Sequence, residues 1–156
     1  MNELHGPAIF FLSSCSRASF GERLTPRHAI KASPLPTLFI IGDNGWLDCD
    51  NIDESYGYWQ KHLFDYHERA DLNWRPLGAN VGRNADFPEF FAFKLDGILF
   101  LGRALPSTQN FYNKFTYRQF EKYLKTNADA TRAQIAANAG KIRAVVIFGH
   151  NVSKIL

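Results

Sequence analysis

Two apolar runs, Phe90-Phe91-Ala92-Phe93-Lys94-Leu95 and Ile98-Leu99-Phe100-Leu101-Gly102, flank the dipeptide Asp96-Gly97. Asp-Gly suits the type I′ turn, whose two central residues both need positive φ and whose twist matches that of paired strands. This stretch therefore predicts a β-hairpin, and the remaining elements must build around it. A second run, Leu38 to Ile41, is bounded by Pro36 and Gly42 and is apolar at every position. Such a run suits a strand buried on both faces, as in a parallel sheet. A third, Ala144 to Phe148, ends in Gly149-His150 and reads as the last strand.

Helical patterns lie between the strands. Tyr56, Trp59, Leu63 and Tyr66 recur at spacings of three and four, which predicts an amphipathic helix from Asp53 to about Arg69 with Asp53 or Ser55 as N-cap. Tyr117 to Leu124 and Asp129 to Ala139 read as two further helices, the second closed by Gly140 at the C′ position. Residues 70 to 88 contain Pro76, Gly78, Gly82 and Pro88 without a clear period and read as a long loop. Residues 1 to 33 form an N-terminal irregular segment, and Pro34-Leu35-Pro36 leads into a domain spanning 34 to 156. The order of strand, helix, hairpin, helices and strand points to an α/β layered domain with a mixed sheet.

Composition excludes several classes of function. With 46% hydrophobic and 15% aromatic residues the chain can build a core, so disorder is ruled out. The net charge of +3 is spread over scattered Lys and Arg residues without a basic stripe, so nucleic acid is not an expected partner. No window approaches the ~20 apolar residues of a bilayer span, so no membrane partner is expected either. Ala8 to Leu12 faintly resembles the core of a signal peptide, but Glu3 precedes it with no Lys or Arg. Cys15 and Cys49 match no zinc motif and cannot form a disulfide framework. Reduced thiols are the default, a single disulfide stays open, and among compartments the cytoplasm is favoured.

The candidate chemistry sits at strand ends. Gly42-Asp43-Asn44 follows the Leu38 to Ile41 run, and Gly149-His150 follows the last strand. Ligands of α/β folds gather outside the carboxyl ends of strands. Carboxylate, amide oxygen and imidazole are metal-capable donors, so Asp43, Asn44 and His150 are candidate ligands of a divalent metal. Plain turn chemistry is the competing reading of Gly-Asp-Asn, since Asp and Asn bond their own backbone and tolerate unusual dihedrals. His62 and His67, on the aromatic helix, read as exposed or packed side chains. Arg75 and Arg83 read as solvated loop residues, although a guanidinium there could contact a phosphate.

The signature from Pro36 to Cys49, apolar residues followed by Gly-Asp-Asn-x-Trp-x-Asp-Cys, resembles the calcineurin-like metallophosphoesterases, in a branch whose third metal motif is Gly-Asp-Asn-acidic-Trp. Trp59 with Lys61 to Phe64, Arg83-Asn84 through the hairpin, and Val145 to His150 are similar to later parts of that family, so the resemblance spans about residues 34 to 151. It implies a metal-dependent phosphoester hydrolase acting on a phosphorylated small molecule or phosphoester, with two divalent ions of the Mn, Fe or Zn class in complete relatives. Asp43 then corresponds to a metal ligand, Asn44 to the catalytic or phosphate-contacting position or, in another alignment, a ligand, and His150 to the Gly-His ligand. Asp48 and Cys49 take a structural role in the loop, and Gly45 stands where relatives carry an acidic residue. The family's early Asp-x-His, its Gly-Asp and its final Gly-His-x-His have no counterpart here, and the first 42 residues contain no Asp. The resemblance thus implies an incomplete metallophosphoesterase-like fold with reduced or no activity. The alternative is a non-catalytic α/β remnant or binding module.

Overall fold

The computed structural model describes residues 8–12, 37–43, 46–64, 80–106 and 116–150. They fall in two compact units, Met1–Leu77 and Gly78–Leu156, and both strands and helices are present, so the chain is α/β.

In the first unit β1 (Ala8–Leu12) and β2 (Thr37–Ile41) pair in parallel, Ala8 opposite Thr37 through Leu12 opposite Ile41. The apolar run at 8 to 12, set within the irregular segment by its sequence, is thus a strand in register with the most apolar run of the chain. All five side chains of β2 are at most 2% exposed, as the unbroken apolar pattern requires. Removing such a side chain from water contributes roughly 1.5–3 kcal/mol.

Helix α1 (Ile52–Trp59) starts at Asn51, whose Oδ1 accepts the Glu54 N–H at 3.0 Å. Asn51, rather than Asp53 or Ser55, is the N-cap because that leaves Asp53 and Glu54 in the first turn, where carboxylates complement the positive end of the helix. The α-helix ends ten residues before the expected Arg69 and widens into a π-helical turn, Gln60–Phe64; residues 65 to 69 lie outside the described residues. An i→i+5 turn brings residues five apart onto one face. Trp59 and Phe64 accordingly meet edge to face at 5.5 Å. Trp46, Tyr56 and Trp59 continue that row, with centroid separations of 5.1 and 5.5 Å.

The second unit is a four-stranded mixed sheet in the order β3 (Gly82–Arg83), β4 (Phe91–Leu95), β5 (Ile98–Arg103) and β6 (Ala144–Gly149). β4 and β5 form the expected hairpin, and Asp96 and Gly97 have φ of 48° and 74°, the two positive values of a type I′ turn. β3 lies within the stretch read as a loop, where two residues are too few to show a period. β6 runs parallel to β5, which demands a crossover, and α2 (Tyr117–Ala137) supplies it.

The two helices expected over 117 to 139 are one helix of 21 residues. Thr126 and Asn127 favour helix weakly. Tertiary contacts override that preference: Asn127 is buried, and Thr131, one turn on, accepts from Arg103 Nε of β5 at 2.9 Å, while within the helix Lys125 pairs with Asp129. A capping box between Thr116 and Gln119 opens the helix. Asn138 caps its end, so Gly140, at φ 72°, stands two residues beyond the cap rather than at C′.

Alternation in β4 and β5 sorts the side chains onto two faces. On one, Phe91, Phe93, Phe100 and Phe148 stack in a row, with Phe93 and Phe100 4.8 Å apart and 8° from parallel. On the other, Ala92, Leu99 and Leu101 form a buried cluster completed by Ile142. At α2, Tyr123 meets Phe87 and Phe90 edge-on at 4.8 and 5.0 Å. Its hydroxyl shares its proton between the Ala104 carbonyl at 2.5 Å and Glu89 Oε1 at 3.0 Å. Gly102 lies beneath the Phe91 ring, where a Cβ would stand 2.2 Å from Cε1. Replacing Gly102 by Ala must displace that ring and is expected to cost about 1–3 kcal/mol. Urea denaturation of Gly102→Ala checks this; a midpoint equal to wild type would show that the ring yields freely.

Candidate functional site

β2 ends at Ile41, and Asp43, separated from it by Gly42, is 4% exposed, a carboxylate buried just beyond the strand. The Asp43 carbonyl accepts from the N–H groups of Trp46 at 3.2 Å and Leu47 at 2.7 Å, and the Trp46 carbonyl accepts from Cys49 N–H at 3.2 Å. Consecutive tight turns therefore wind the loop back from the strand end. Trp46 and Leu47 are buried in it and Asp48 is exposed. Asn44 lies outside the described residues.

Cys49 is 3% exposed and disulfide-bonded. The structure thus takes the single-disulfide option and not the default of reduced thiols; Cys15, the chain's other cysteine, lies outside the described residues. A crosslink six residues after Asp43 fixes the loop covalently as well as by its turns.

His150 follows β6 in the second unit and is half-buried. Because β5 and β6 are parallel, their carboxyl ends share one sheet edge, where Arg103 pairs with Gly149. The buried Arg103, 3% exposed, is the residue sequence reasoning missed. Its Nε donates to Thr131 Oγ1 at 2.9 Å, and its Nη1 donates to the carbonyls of Phe91 at 3.0 Å and Gly102 at 2.8 Å. Burial pushes its pKa down to about 10, which leaves it protonated at neutral pH. The one available signal was an arginine placed directly after an apolar run, in register with the leucines of the buried face.

Arg83 belongs to β3 and not to a solvated loop. Its Nη1 donates to the Pro88 carbonyl at 2.9 Å and its guanidinium lies 5.8 Å from the centroid of Phe91. His62 is half-buried with its ring 4.3 Å from Tyr58. Arg75 and His67 lie outside the described residues.

Among the described residues no three His, Cys, Asp or Glu side chains are grouped so that they could hold a metal ion. Asp43 belongs to one unit and His150 to the other. By themselves, the described residues do not make up a metal centre. Among the described residues no helix is long and apolar enough to cross a membrane. Comparison with protein-family models, with curated proteins and with solved structures finds no match.

The disulfide carries a direct expectation. Native disulfides of small domains are worth about 2–5 kcal/mol. Reduction, or Cys49→Ser, should lower the melting temperature, and reduction should leave the melting of Cys49→Ser unchanged. Differential scanning calorimetry with and without reductant reads both; identical wild-type traces would mean that the crosslink carries no stability.

Proposed function

We propose that the chain is a metal-dependent phosphoester hydrolase domain of the calcineurin-like type, acting slowly on a phosphorylated small molecule or phosphoester. The observation that carries this reading is the Gly42-Asp43-Asn44 signature on a buried strand end, with a carboxylate that is itself buried. Gly149-His150 repeats the pattern at the end of β6. Asp43, Asn44 and His150 are the proposed metal-facing residues.

Two-metal hydrolysis requires both ions to be held about 3.5–4 Å apart by a full ligand set. Three candidate ligands do not provide that set, which is why turnover is proposed to be low. The test is hydrolysis of 4-nitrophenyl phosphate with and without Mn(II). Slow hydrolysis that depends on the metal is expected, reduced by more than about tenfold in Asp43→Asn and in His150→Ala. Hydrolysis indifferent to manganese and to both substitutions would remove the hydrolase reading and leave the non-catalytic α/β module.

A further inference from the structure

Within the second unit a cavity of about 280 Å³ lies between the sheet and α2. Arg83, Asn84, Arg103 and Gln134 are its polar lining, and Ala130 and Ala133 of α2 leave the room. Among the described residues no carboxylate lines it. Arg103 is 97% buried by its 3% exposure, and its Nη2 has no hydrogen-bond partner among the described residues. Nor does Arg103 form an ion pair there: Asp129, the acidic residue of α2 beside Ala130, is held by Lys125 and, at 3.2 Å, by Arg132.

A buried guanidinium with an unused amino group and no counter-charge is costly to maintain. Its Nε and Nη1 are fixed on Thr131 and on two backbone carbonyls, so the group cannot turn away. The remaining N–H pair, closed to solvent, is left among the described residues without an acceptor and its charge without an anion. Guanidinium groups favour oxyanions, whose oxygens accept charge-assisted hydrogen bonds. The volume is slightly below the about 300 Å³ at which pockets for drug-sized molecules begin, so the occupant is small.

We propose that this cavity is an oxyanion site, which takes the phosphate or carboxylate group of a small molecule beside the Arg103 guanidinium. Asn84 and Gln134 supply neutral donors around the same space, and Ala133, exposed on α2, stands at its mouth. The proposal is independent of the hydrolase reading, since it uses neither Asp43 nor His150.

The test is thermal unfolding of the full chain in rising concentrations of inorganic phosphate, acetate or chloride at constant ionic strength. Phosphate stabilises many proteins by exclusion from their surface, an effect that grows in proportion to concentration, whereas a site gives a rise that follows the logarithm of concentration above Kd. A logarithmic rise, about 5 °C at tenfold excess over Kd, is expected with phosphate or with acetate, and whichever produces it names the group. Ala133→Leu narrows the mouth while leaving Arg103 intact and should keep the fold but lose the logarithmic component. Arg103→Met should lose it as well. A response that is the same for all three anions, or that persists at full size in Ala133→Leu, would overturn the site.

Discussion

The second unit depends on one buried cation. At the point where β4, β5 and α2 meet, the Arg103 guanidinium takes the carbonyls of Phe91 and Gly102 on one nitrogen and Thr131 Oγ1 on another. The Thr131 hydroxyl in turn donates to the Asn127 carbonyl, so the tie extends into the middle of the helix, where propensity alone would let it break. A lysine could not reproduce this, because three bonds in two directions need the planar fork of a guanidinium. The arrangement orders sheet and helix together, at the expense of keeping a charge in the interior.

The hairpin was readable in advance because its period, its length and its Asp96-Gly97 turn all agreed. Agreement of that kind is what makes local sequence informative. Where the reading missed, local and tertiary preferences opposed each other. Thr126 and Asn127 looked like a break between two helices, and burial of Asn127 with the bond from Arg103 to Thr131 one turn on made them continuous. Ala8 to Leu12 lay among Ser, Arg and Pro residues, and only its parallel register with β2 explains why it is a strand. Gly82-Arg83 is too short to carry any pattern and is a strand because β4 offers it an edge.

The candidate site was legible to a different degree. Asp43 was found because a glycine and a carboxylate closing an apolar run form a sequence-local pattern, and its burial adds to that reading without supplying the further ligands. Arg103 carries no such pattern. A residue of its kind at the end of β5 suggests a charged strand end in water, and its environment is created by a helix segment 28 residues later in the chain. Contacts of that range are invisible to local spacing.

The parallel pairing of β5 with β6 also bears on the order in which this unit can assemble. Leu95 and Ile98 are neighbours in the hairpin register at a separation of three residues, whereas Ile98 meets Ala144 across 46. Closing the longer loop costs more chain entropy before any contact repays it. The hairpin can thus form from local contacts alone, while β6 must wait for α2 to shorten the distance. The strand that delivers His150 is the late arrival, and its half-exposed apolar side chains, Val145 and Ile147, mark the part of the sheet that any interruption of folding would leave undone.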